Sequence, residues 1–224
     1  MKKTNISLEK VNRDELYRYI GTPDDNVRGI IDESEKEFLS LVKPCYTWEL
    51  FDIEDDEKGI LVSGTDIILT GNSIRTHLKG CNKIALLAAT LSNEADKIIR
   101  KYQVNQMAKA VIIDAYASVS VEQICDLAED DILSYMPEHY LTYRFGVGYG
   151  DLPLELEKDI LQVLQAPKNI GLCVTEANIL TPIKSVVCII GISKTPMDKG
   201  QKGCTTCNLK DTCKYRKQGL NCGQ

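Results

Sequence analysis

The amino-acid sequence predicts an α+β fold: a partly antiparallel, twisted sheet with packed helices, followed by a short Cys-rich C-terminal metal-binding tail. Three observations lead there. Paired strand patterns are mixed with intervening helical ones. One long helical pattern is apolar almost all round, so it belongs at the centre of a core. After Ser193 the composition turns basic, glycine-bearing and poor in apolar residues, too poor to bury a core alone. Residues 1–193 therefore form the folded domain and residues 194–224 the tail.

The elements follow in chain order. Residues 13–42 read as mostly helical, broken at Gly21-Thr22-Pro23, with Val27, Ile30, Ile31, Phe38, Leu39 and Val42 at helical spacing. Pro44 ends the run. "CYTWELFDI" is rich in aromatic and β-favouring residues and predicts a strand. "DDEKG" is a turn, and "ILVSGTDIILTG" its returning partner. "NSIRTHLKGC" predicts a short helix with Asn72 or Ser73 as cap and Gly80 as stop. "KIALLAATLS" is a buried strand, closed by a Ser92-Asn93 cap for the next helix. The central helix then runs from about Gln103 to Ala128. "DLPLELEKDILQVLQ" is amphipathic, with Asp151 as N-cap and Pro153 in the first turn. "IGLCVT" and "IKSVVCIIGIS" supply the last strands.

A chain of 224 residues suffices for one domain with a substantial core. Its 27 Lys and Arg against 32 Asp and Glu give a net charge of -5, which argues against a general affinity for nucleic acid. "MKKTNISLEK" has cations but no apolar run behind them, unlike a secretory signal. The longest apolar stretches are too short to span a bilayer. These features predict a soluble, cytoplasmic protein. Of nine cysteines, Cys45, Cys81, Cys125, Cys173 and Cys188 read as small core residues, and four crowd into the tail.

Residues 143–160, "YRFGVGYGDLPLELEKDI", hold the candidate site. Gly146, Gly148 and Gly150 alternate, so the backbone there can turn sharply or lie against a ligand. The spacing matches neither a dinucleotide fingerprint nor a P-loop. Arg144 offers a planar fork suited to two-point contact with a carboxylate. Tyr149 offers a flat apolar face with a polar tip. Taken locally, the stretch reads first as a glycine-rich connection with a surface arginine. On the central helix, Asp114, Ser118, Glu122 and Asp126 recur every four residues as one polar ridge, either a solvated stripe or a set of ligand contacts. Glu138 lies six residues before Arg144. Carboxylates, a guanidinium and a tyrosine can together surround a zwitterion that carries an additional positive charge.

"EHYLTYRFGVGY" resembles the R-x-x-x-G-Y signature of the S-adenosylmethionine-binding activation domain of cobalamin-dependent methionine synthase. "DAYASVSVEQICD" is similar to that family's small-residue helix with a ligand-binding glutamate, which falls on Glu122. The glutamate six before the arginine falls on Glu138. "IGLCVTEANILTPIKSVVCIIGIS" resembles a further family segment, so the parallels cover residues 105–193. "IRTHLKGCNKIALLAATLS" resembles the stand-alone, short versions of the domain. The resemblance implies a subunit that binds S-adenosylmethionine and supports reductive methylation of cob(II)alamin on a partner methionine synthase. Arg144 would hold the methionyl carboxylate, and Glu122 and Glu138 the ammonium. Gly148 would admit the adenosyl part, and Tyr149 would face the corrin. The family's ligand-binding aspartate near the domain start has regional candidates in Glu49 and Asp52. The family pattern commonly carries proline where Gly146 stands. No corrinoid-binding D-x-H-x-x-G occurs, because Arg75 stands where the aspartate would precede His77. Cobalamin is therefore expected on a partner chain, with an electron donor such as flavodoxin or ferredoxin.

Cys204, Cys207, Cys213 and Cys222 offer four thiols, enough for zinc or for an iron–sulfur cluster. A cluster could deliver the electron that reactivation needs, whereas a zinc knuckle would be structural. Two other functions fit the sequence. One is reactivation of another corrinoid methyltransferase. The other is a metal-bearing electron-transfer or interaction module with a vestigial adenosyl site.

Overall fold

The computed structural model describes residues 2–21 and 25–196. The cysteine tail, with Cys204, Cys207, Cys213 and Cys222, lies outside them, as does most of the Gly21-Thr22-Pro23 break. In chain order the elements are β1 (Lys2–Asn5), α1 (Arg13–Ile20), α2 (Asp25–Leu41), β2 (Cys45–Asp55), β3 (Ile60–Val62), β4 (Ile68–Leu69) and α3 (Asn72–His77). Then come β5 (Lys83–Thr90), α4 (Asn93–Gln103), α5 (Met107–Tyr135), β6 (Tyr140–Leu141) and β7 (Phe145–Gly146). The described chain closes with α6 (Leu156–Val163), α7 (Ala166–Ile170), β8 (Cys173–Val174), β9 (Leu180–Thr181) and β10 (Ser185–Ser193). No described helix is long and apolar enough to cross a membrane.

The main sheet runs β4-β3-β2-β5-β10-β6, with β1 beside β2 and β7 beside β10, while β8 and β9 form a separate pair. Every described pairing is antiparallel, so the sheet is more uniform than the partly antiparallel expectation. Successive side chains of a strand point to opposite faces, and both faces are covered here. Ala85, Leu87 and Ala89 of β5 join Cys188, Ile190 and Ile192 of β10 in a core with α1, α2, α4 and α5. Ile84, Leu86 and Ala88 join Val187 and Ile189 in a second core with α3, α6 and α7. The two central strands are apolar on both sides for this reason.

The all-round apolar helix is α5, packed between the sheet and the α1, α2 and α4 layer. Its buried Lys109 pairs with Glu33 at 2.9 Å and Glu37 at 3.0 Å and sits over the Tyr102 ring, joining α2, α4 and α5. Hydrogen bonds from Tyr102 first, and from Lys109 and Lys101 as well, hold the Glu37 carboxyl at about 2. α5 outlasts its predicted end at Ala128 because Asp131, one turn on, is held by the sheet. It accepts from Tyr46 and from the Trp48 indole, both at 2.9 Å, and pairs with Lys2. Trp48 therefore anchors the β1–β2 edge.

Several boundaries differ from expectation. Asp151 does not cap the amphipathic helix. Its carboxylate accepts the Asn72 N–H at 2.7 Å and the Ser73 N–H at 2.9 Å, so it caps α3 from 78 residues away. α6 accordingly starts only at Leu156. "IGLCVT" yields two strand residues, not six. β1, β6 and β7 carry no strong periodic signal, since such short strands offer too few positions for alternation. Among the non-tail thiols, Cys45, Cys125 and Cys188 are buried, but Cys81 is half-buried and Cys173 exposed.

Glu157 on α6 is 7 % exposed, and its Oε2 has no hydrogen-bond partner among the described residues. Burial raises its carboxyl pKa above the ordinary value. A raised folded-state pKa favours the fold fully below the unfolded value, and that contribution is lost as pH rises through the folded value. Glu157→Gln should therefore gain stability relative to wild type as pH increases from 4 to 7, by about 1 kcal/mol at neutrality. Thermal melts across that range check it. A stability difference independent of pH contradicts it.

Candidate functional site

The site is made by a fault in strand pairing. Leu141 pairs with Ile192 and Phe145 with Ile189. Three residues, Thr142 to Arg144, thus oppose only two on β10, Ile190 and Gly191. The extra residue is a β-bulge, which re-aims the side chains that follow it. Leu141 belongs to the core on the α5 face, and Phe145 to the core on the other. Over four residues of regular strand the two would share a face. The bulge reverses that parity, so Arg144 points at α5.

Thr142 holds the bulge. Its N–H donates to the Gly191 carbonyl at 2.9 Å, and its hydroxyl accepts the Gly191 N–H at 2.8 Å. The same hydroxyl lies 2.8 Å from His77 Nε2, which packs edge-on against Tyr143. Burial lowers the His77 pKa to about 4, so its imidazole is neutral at physiological pH. It serves as a spacer between α3 and the bulge.

Arg144 meets three carboxylates along α5. Nη2 donates to Glu122 Oε2 at 2.8 Å, and Nη1 donates to Asp126 Oδ1 at 2.7 Å and Glu129 Oε1 at 2.6 Å. These residues stand four and then three apart, on one helical line. The Arg144 side chain is only 11 % exposed, whereas Glu122 is 53 %, Asp126 67 % and Glu129 21 % exposed. The guanidinium is thus buried beneath carboxylates that reach solvent. Burial alone lowers its pKa, but the acidic neighbours outweigh burial and hold it above its ordinary value. Behind it Cys125 and Cys188 are fully enclosed, and burial pushes both thiols up, leaving them neutral. The ridge continues with Ser118 and Asp114, which take Lys184 at 3.0 Å and 2.9 Å.

The sequence-predicted residues divide. Arg144 and Glu122 are in direct contact. Tyr149 is 58 % exposed and edge-on to Phe145, at the mouth of the same turn. Gly148 has φ of 81°, and a Cβ there would lie 2.7 Å from Leu154 Cδ1, so the turn itself demands glycine. Glu138 is exposed in the turn before β6, and no described contact joins it to Arg144. Glu49 pairs across the sheet with Leu86, whose side chain lies on the face opposite α5. Asp52 is ion-paired with Lys83. It stands on β2, three strand spacings from β7, or about 14 Å. Neither candidate for the N-terminal aspartate reaches Arg144. Glu129 and Lys184 were not foreseen. Glu129 lies seven residues after Glu122, on the same face, and that spacing could have found it. Two clefts of about 420 and 480 Å³ lie elsewhere, around Arg75 and Cys81 and around Arg13 and Glu35. Among the described residues no group of His, Cys, Asp and Glu is arranged to hold a metal ion.

No protein-family model and no curated protein matches the chain. A solved structure does match in fold: the MetH reactivation domain bound to AdoHcy. It superposes with a TM-score of 0.68 at 12 % identity, over 99 % of this chain and 86 % of that one. This chain therefore has the fold of that reactivation domain.

Proposed function

We propose that this chain binds S-adenosylmethionine at Arg144 and reactivates a cobalamin-dependent methionine synthase. The carrying observation is the convergence of Arg144 and Glu122 across the bulge, in a fold shared with a reactivation domain solved with AdoHcy.

The residues suit an amino-acid head group. The guanidinium is fixed by Glu129, the least exposed of its three partners, while Glu122 and Asp126 reach solvent and can give way. A ligand carboxylate takes their place in two-point contact with Arg144. The released Glu122 then faces the ligand's ammonium, and Glu138 is the outer carboxylate for the same group. Tyr149, exposed beside the turn, offers its ring to the partner's corrin. The bound sulfonium supplies a methyl group as a cation equivalent, and one electron from an external donor completes conversion of cob(II)alamin to methylcobalamin, leaving the thioether. This chain's contribution is positioning.

The test uses a methionine synthase core inactivated as Co(II), with S-adenosylmethionine and a reductant such as reduced flavodoxin. Adding this chain should restore turnover, and omitting it should not. Equal recovery with and without the chain refutes the proposal.

A further inference from the structure

We propose that His77 is a positioning residue of the site: its ring N–H, donated to the Thr142 hydroxyl, sets the aim of Arg144 and so the affinity for the ligand carboxylate. This rests on the reading above and adds to it a residue that acts through Thr142.

A threonine hydroxyl has one proton to give and two lone pairs to accept with. At Thr142 the proton goes to the Tyr143 carbonyl, 3.0 Å away. One lone pair takes the Gly191 N–H at 2.8 Å. His77 Nε2, also at 2.8 Å, meets the other, so Nε2 carries the hydrogen and the neutral imidazole is the Nε2–H tautomer. Both side chains are buried, so bulk water does not replace this bond when it is lost.

The same ring supports both chain neighbours of Arg144. Tyr143 meets it edge-on with centroids 4.4 Å apart, and Phe145 meets it tilted at 4.9 Å. His77 thus contacts residues 142, 143 and 145, while Arg144 turns away to α5. The other end of α3 is held as well. The Asp151 carboxylate caps it, and Gly150 lies so close that a Cβ there would come within 2.5 Å of Ser73 Oγ. α3 is therefore a splint along residues 142–151, gripping the chain on either side of Arg144 and Tyr149. The two kinds of His77 contact divide the work. Ring packing is non-directional and contributes stability. The hydrogen bond is directional and fixes where Thr142, and with it the bulge, sits.

The test pairs calorimetry with S-adenosylmethionine and thermal melts, both on the full chain. His77→Phe keeps a ring and loses the donor, so affinity should fall about three- to tenfold. His77→Gln brings an amide N–H near the Nε2 position and gives up the ring. Its melting temperature should drop further than that of His77→Phe, yet its affinity should stay close to that of wild type. Thr142→Val should match the His77→Phe loss of affinity, and the double variant should lose no more than either alone. Ile31→Val, a core change on α2, should lower the melting temperature and leave affinity unchanged. Affinity that simply follows melting temperature across these proteins, or wild-type affinity in folded His77→Phe, overturns the inference. A ligand-free comparison separates it from the underlying reading. Arg144→Met should cost less stability in the His77→Phe background than in wild type, because a misaimed guanidinium has less to lose. An equal cost in both backgrounds overturns the inference. Absence of binding by the folded wild type, with that coupling present, overturns the underlying reading and leaves His77 as the residue that aims Arg144.

Discussion

Arg144→Met should weaken S-adenosylmethionine binding by on the order of 100-fold. The guanidinium joins Glu122, Asp126 and Glu129 along α5, and it is nearly enclosed. Methionine keeps most of the side-chain bulk but removes every donor, so a ligand carboxylate loses its two-point partner and faces Glu122, Asp126 and Glu129. Arg144→Lys should fall between, because an ammonium keeps the charge and loses the planar fork. Loss of Arg144 also leaves three like charges adjacent, so the melting temperature should drop. Binding must therefore be measured well below it, with circular dichroism confirming the fold. Unchanged affinity in a folded Arg144→Met protein removes Arg144 from the site.

Gly191→Val should destabilise the protein by about 3 kcal/mol or more, a fall in melting temperature of roughly 6–12 °C. Gly191 lies opposite the bulge. A Cβ there would approach Cys81 Sγ to 2.6 Å, Leu78 Cδ2 to 2.8 Å and Thr142 Cγ2 to 2.9 Å. Thr142 follows β6, and Leu78 and Cys81 lie at the end of α3 and in the turn after it, so none can retreat without moving β6 or the end of α3. A branched side chain would also push Thr142 away from the Gly191 N–H, undoing the bond that fixes the bulge. Arg144 would lose its aim at α5, and ligand affinity should fall together with stability. Gly191→Ala should show the same pattern in milder form. Wild-type stability in Gly191→Val would mean that this close approach does not constrain the fold.

Much of this arrangement can be read along the chain. α5 announces itself because a helix apolar on nearly every side has nowhere to go but the centre. Its one polar line, Asp114 to Asp126, is visible at four-residue spacing. β5 and β10 are legible as continuous apolar runs because both their faces are buried. What resists reading depends on residues distant in sequence. Asp151 looks like the cap of the helix that follows it, yet its carboxylate satisfies α3, since tertiary packing brings α3's N–H groups closer. The bulge at Thr142 to Arg144 is a relation between strands some fifty residues apart, set by the count on β10 rather than by any local pattern. Arg144 could be singled out from its neighbours, but the face it points to could not. Glu138 stands in an exposed turn before β6, a placement that its six-residue spacing from Arg144 does not reveal.

The account turns on one binding event. Titration calorimetry of the full wild-type chain with S-adenosylmethionine should show saturable one-to-one binding that Arg144→Met loses. A folded wild-type protein that takes up no S-adenosylmethionine would contradict it.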